Sequence, residues 1–154
     1  MIKFKETKPA TSGSLIIITE KLFDINFPND YKDHILKYNG GDCTPNRIQF
    51  FENGVLASSA IGYFYAFYDG KYSNIFTAFS IFKIQDKRMP SNVFPIAYDG
   101  LGNQICISCF SNDFGSVYFW DHENEVDYSH SDDNDYSNLY LIAPSFTEFL
   151  ANLH

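Results

Sequence analysis

The 154-residue chain reads as an α+β protein, a single domain in which N-terminal and C-terminal helices pack on a mainly antiparallel sheet. Three observations predict this class. A segment with proline at its start and glycine at its end reads as a helix near the N-terminus. A capping box opens another at the C-terminus, and short apolar runs separated by turn residues lie between them. The length suits one core, which at this size removes roughly 70% of the unfolded chain's surface from water.

The elements follow in order. Residues 1–13 are polar, carry Pro9 and Gly13, and read as a loosely attached, flexible arm ahead of a domain at 14–154. The run Leu15–Ile25 is open between two readings. Its β-branched residues favour a strand, whereas Ile18, Leu22 and Ile25 have helical spacing. Pro28, Asp30 and the shared face of Tyr31, Ile35 and Tyr38 predict a helix over 28–38, with Gly40 as its left-handed cap. Strands are expected at Arg47–Phe51, Ile61–Tyr68, Pro95–Tyr98, Gln104–Phe110, Val117–Trp120 and Leu139–Ala143, each bounded by Gly, Asn, Asp or Pro. Between the second and third, Tyr72, Ile75, Phe76, Phe79 and Phe82 recur at helical spacing, and Arg88-Met-Pro90 stops the pattern. Ser145-Phe-Thr-Glu148 opens a closing helix over 146–153.

Charge is distributed unevenly. All 11 Lys and Arg residues lie between Lys3 and Arg88, while ten of the 19 acids follow, for a net charge of −8. Seven of those ten crowd into residues 121–136, a stretch that reads as an insertion in the last hairpin. Crowded like charge repels itself, and a docked cationic surface relieves that cost. The pattern points to a basic protein partner and away from nucleic acid, for which the basic residues are also too scattered.

Three cysteines make an odd count that argues against a disulfide framework, and no secretory signal, lipidation motif or membrane-length apolar run is visible, so a reduced, cytoplasmic location is expected. Cys106-Ile-Ser-Cys109 has redox or zinc spacing, but on a strand the odd separation sends the sulfurs to opposite faces, so buried structural thiols are expected. Asp133, Asp135 and Ser137 alternate like calcium ligands but lack the turn glycine and the distant glutamate. His122 between two acids could act as a base, yet no nucleophile elbow or phosphate loop accompanies it. Asp99-Gly-Leu-Gly102 reads as a hairpin turn. No cofactor, metal or catalytic residue is expected.

Four segments, in order, carry a family resemblance. They are Glu20 followed by Phe27-Pro28-Asn-Asp-Tyr31-Lys32-Asp-His-Ile35-Leu36 and Asn39-Gly40-Gly41; Phe94-Pro-Ile-Ala-Tyr-Asp99-Gly-Leu-Gly102-Asn103; Gly115-Ser-Val-Tyr118-Phe-Trp120-Asp121-His122-Glu123; and Ile142-Ala-Pro-Ser145-Phe-Thr-Glu148-Phe149-Leu150. Over about residues 15–153 the chain resembles the SUKH superfamily, which includes the Smi/Knr cell-wall regulators of fungi. Phe27 stands where the family usually has Leu before the proline. The resemblance implies that Ile16–Phe23 is helical and that the protein is not an enzyme. It also implies, for a compact member without long tails, an immunity protein of the bacterial kind that neutralises a cognate polymorphic toxin, frequently a nuclease. The runner-up it implies is a regulator or scaffold of the Smi/Knr type.

Charge and resemblance together predict that Asp121, Glu123, Glu125, Asp127, Asp132, Asp133 and Asp135 contact a basic toxin domain, with Tyr128 and Tyr136 as anchors. Tyr118 and Trp120 read first as packed strand residues. The free protein is expected to be a monomer.

Overall fold

The computed structural model describes residues 1–154. Strand β1 (Lys3–Lys5) precedes helices α1 (Gly13–Phe23) and α2 (Asn29–Lys37). Strand β2 (Asp42–Thr44) pairs antiparallel with β1, and β3 (Arg47–Glu52) pairs with β4 (Val55–Ala60) as a separate ribbon. Strands β5 (Tyr63–Phe64), β6 (Val93–Tyr98), β7 (Gln104–Ser108), β8 (Val117–Trp120) and β9 (Leu139–Ala143) form one antiparallel sheet in sequence order. Helix α3 (Ile75–Phe79) lies between β5 and β6, and α4 (Phe146–Ala151) closes the chain. The expected α+β class is what the chain adopts.

Strand alternation divides the interior in two. Ile105, Ile107, Val117 and Phe119 point to the larger core with Ile16, Tyr31, Ile35, Phe79, Phe146 and Phe149 from the four helices. Cys106, Tyr118 and Trp120 point to the other face, under Ala78, Phe82 and Met89. Both faces are covered, so β7 and β8 are buried along their whole length.

The helix ends follow from capping chemistry. Ser12 Oγ accepts from the Leu15 amide at 3.2 Å to start α1, and Asp24 ends it with a left-handed φ of 53°. The open choice at Leu15–Ile25 therefore resolves as a helix, but the buried side differs from the one expected. Ile16, Thr19 and Glu20 face inward while Ile18 and Leu22 are exposed, so apolar residues on two sides obscured the period. Ser145 Oγ accepts from the Glu148 amide at 3.1 Å, the expected box at α4.

Other expectations need correction. Residues 3–5 are not a free arm, because β1 pairs with β2 and the Phe4 ring stacks on Tyr38 at 4.5 Å. Of Ile61–Tyr68 only Tyr63 and Phe64 form a strand. Beyond them the buried Asn39 side chain takes over, accepting from the Phe67 amide at 2.8 Å and donating to the Phe67 carbonyl at 2.9 Å. The helix expected from Tyr72 starts after Asn74, whose Oδ1 accepts from the Phe76 amide, and continues from α3 as a π-helix over Ser80–Gln85. That wider turn seats Lys83, whose Nζ donates to the carbonyls of Pro90 and Val93.

Candidate interaction surface

Residues 121–138 join β8 to β9, and the acids in them are first of all turn formers. Asp121 is buried. Its Oδ1 accepts from the Glu123 amide at 2.9 Å to cap a 3-10 turn at His122–Asn124, and its carbonyl accepts from Asn138 Nδ2. Asp127 Oδ1 accepts from the Ser129 amide at 3.0 Å, Asp132 Oδ1 from Asn134 at 3.1 Å, and Asp135 Oδ1 from Ser137 at 2.9 Å. Each is a carboxylate bonded two residues ahead, the local contact that turns favour. The Ser129 and His130 bonds hold the exposed Asp127 carboxyl down at about 2, and the Ser137 bonds lower that of Asp135.

No Lys or Arg lies within or after this loop in the sequence, yet two reach it in the fold. Arg88 forms a fork onto Glu125, Nε to Oε1 at 2.7 Å and Nη2 to Oε2 at 2.8 Å, with its guanidinium over the rings of Phe82 and Trp120. Lys87 Nζ reaches Asp133 Oδ1 at 2.9 Å, and the Ser91 amide donates to the same oxygen. Partial burial works to raise the Asp133 pKa, but these bonds outweigh it and leave the carboxyl below its ordinary value. The reason is topological. The segment after the π-helix and the acidic loop both close over the Trp120 face of the sheet, so residues about forty apart in sequence meet.

The two tyrosines expected as anchors are also structural. Tyr128 is buried and its hydroxyl donates to the Asp135 carbonyl at 2.8 Å. Tyr136 packs edge-on to Tyr118 and donates to Asp113 Oδ2 at 2.8 Å. Sequence reasoning missed Asp113, which gathers Ser108, Asn92, Tyr118 and Tyr136 on its two oxygens and pins the loop to the sheet. Its only sequence signal is a polar Ser-Asn-Asp turn before β8. Of the nine residues expected to touch a partner, Glu123, Asp127 and Asp132 remain exposed with no cation on them, apart from His130 beside Asp127.

A groove of about 360 Å³ lies beside this loop, between β4 and the turns at 99–103 and 121–123. Four carboxylates line it: Glu52, Asp99, Asp121 and Glu123. Asp99 clamps the β6–β7 turn by accepting from the amides of Leu101 and Asn103, and it ties that turn to β4 through Ser59 Oγ at 3.0 Å. Asn103 Oδ1 accepts from the His122 amide at 3.1 Å, joining the two turns. Glu52 was not visible as part of an acidic surface, because only the hairpin turn at Asn53-Gly54 brings it there.

Cys106 and Cys109 lie in different clusters on opposite sides of the sheet, as their spacing predicts. Burial raises both thiols, so they are protonated at neutral pH.

The model of the SMI1/KNR4 family (SUKH-1) matches residues 9–152. The chain belongs to that family. It is also 42% identical over 66 residues to the SPbeta prophage-derived uncharacterized protein YokK of Bacillus subtilis (strain 168), a match covering 43% of this chain. The matched segment spans 29% of that relative's length. The residues that carry the SUKH resemblance are clasps of the fold. Glu20 Oε2 accepts from the Phe27 amide at 2.8 Å and pairs with Lys32 at 3.5 Å, fixing α2 against α1. Asn39 holds both Pro9 and Phe67, and a side chain at Gly41 would bring its Cβ within 2.4 Å of the Lys5 carbonyl. Trp120 is fully buried and donates to the Arg88 carbonyl, the packed role expected for it. No helix is long and apolar enough to cross a membrane.

Proposed function

We propose that this protein acts without chemistry of its own, as an immunity protein that binds and neutralises a basic toxin domain, a nuclease by the charge argument. One observation supports the reading. Glu123, Asp127 and Asp132 stand exposed on the loop between β8 and β9, and Glu123 is also one of four carboxylates lining the groove beside that loop. A nuclease surface is cationic because it must hold phosphate, so an acidic surface of this kind can occupy it and accelerate encounter. Membership in the SUKH family supports the same reading, and a relative carried by a prophage is in keeping with it.

The test is binding kinetics against the C-terminal domain of a toxin encoded beside this gene, over a series of salt concentrations. Glu123→Gln, Asp127→Asn and Asp132→Asn together should slow association several-fold and flatten its salt dependence, with dissociation little changed. Unchanged association rates, with protection of cells intact, would show that these acids only shape their turns. Lack of binding to any neighbouring toxin, with activity in cell-wall regulation instead, would favour the regulator reading.

A further inference from the structure

The β3–β4 ribbon has one edge that nothing covers. In an antiparallel ladder successive residues direct their backbone groups alternately toward and away from the partner strand. The Ile61 amide donates to the Asn46 carbonyl at 2.8 Å, so Ser59, Ala57 and Val55 also face β3, and Ala60, Ser58 and Leu56 face away. No loop, cap or side chain engages the amides or carbonyls of those three residues, and β4 pairs with no strand but β3. Proteins ordinarily blunt such an edge with lysine, proline or a bulge. Strand β1 does carry Lys3 and Lys5, whereas β4 reads Val-Leu-Ala-Ser-Ser-Ala with none of these.

The same edge borders the carboxylate-lined groove, whose wall includes Ala57, Ser58 and Ser59. Side chains on the inner face of the ribbon, Glu52 among them, point into it. On the outer face Phe51 and Leu56 are cross-strand partners, 66% and 55% exposed, and give that side of the edge an apolar surface. A row of free backbone donors and acceptors specifies an extended polypeptide, and the alternation of faces specifies its side chains. A second copy of this chain is disfavoured as the occupant, because pairing two β4 edges would bring two acidic grooves together on molecules of charge −8.

We propose that β4 receives an extended, basic segment of a protein partner as a third strand, with Lys or Arg side chains directed at Glu52, Asp121 and Glu123 and apolar ones beside Leu56. This rests on the reading that the protein works by binding a basic protein, and it names the part of the surface that does so.

The experiment uses the full chain and an acetylated, amidated peptide, Lys-Val-Lys-Val-Lys-Val-Lys. Titration followed by amide NMR should give saturable shifts at Leu56, Ser58 and Ala60, with slowed exchange of the outward amides. Methylating the peptide's valine amides leaves its charge and removes its ladder donors, and should weaken binding about tenfold or more. Ser58→Pro removes an outward donor while leaving the bonds to β3, and should do the same with the fold retained. Absence of saturable shifts at β4 overturns the proposal, as does equal binding of the methylated peptide, which needs no folded variant. Equal binding by a folded Ser58→Pro protein, or dimerisation of the free chain through β4, overturns it too. Failure here with the toxin-domain interaction intact would leave the immunity reading standing and place the interface elsewhere.

Discussion

His34 sits in a ring of aromatic side chains, with the centroids of Phe4, Phe146, Tyr38 and Phe64 between 4.8 and 5.6 Å away. Burial, and secondarily the neighbouring Lys37, pull its pKa from 6.5 to about 4. The unfolded chain therefore takes up a proton near pH 6.5 that the folded chain refuses until about pH 4. Stability from keeping His34 neutral is complete above pH 6.5 and is lost as pH falls through that window, to a limit on the order of 3 kcal/mol. Urea unfolding at pH 7 and pH 4.5 should show a drop in stability that is on the order of 2 kcal/mol larger in the natural protein than in His34→Phe. Equal drops would place the acid sensitivity in other groups. Residues such as Glu20 and Asn39 were recognisable from sequence as parts of motifs, but their work was not. A buried side chain that holds a backbone twenty-eight residues away, as Asn39 holds Phe67, leaves no local pattern.

At the scale of elements, the sequence revealed what local chemistry determines. Pro28 placed the start of α2 and the capping Ser145 that of α4, whereas Gly40, expected as the left-handed cap of α2, has its positive φ two residues beyond an extended cap at Tyr38. Strands β8 and β9 fall at their expected residues because turn residues bound them on both sides. Elements set by distant partners were not readable. β1 and β2 are three residues each and exist because they pair with one another, and the Ala and Ser content of β4 hid it despite the Asn53-Gly54 turn signal. The N-terminal strand is held chiefly by Phe4, which is half-buried and packs against the main core. Phe4→Ala should cost about 2 kcal/mol, less than a fully buried Phe, and should speed amide exchange in Lys3–Lys5 and Asp42–Thr44 before the sheet. Uniform exchange across the molecule would show that β1 and the core open as one unit.

For the molecule as a whole, charge restrains the exposed edge of β4. Near neutral pH the charge of −8 keeps copies apart, and that protection fades as pH approaches the isoelectric point near 4.7. Solubility should therefore pass through a sharp minimum there. Ser58→Lys, which places a charge on the edge itself, should relieve the minimum more than Gln85→Lys, which adds the same charge on the π-helix; light scattering across pH 4–6 measures both. The acidic surface was legible as composition, because no Lys or Arg follows Arg88. Its division into turn-forming, paired and free carboxylates was not, since Lys87 and Arg88 reach it only through the packing of two segments over Trp120.

The three cysteines are free and shielded on two sides of the sheet: Cys43 and Cys109 in the helix-covered core, and Cys106 on the opposite face, among Phe82, Met89 and Trp120. An alkylating reagent can reach each one only when its own layer parts, and burial keeps each thiol from ionising ahead of that event. The chain thus carries, without engineering, a chemical clock on each side of the sheet, and the order in which the clocks run reads out which side comes apart first.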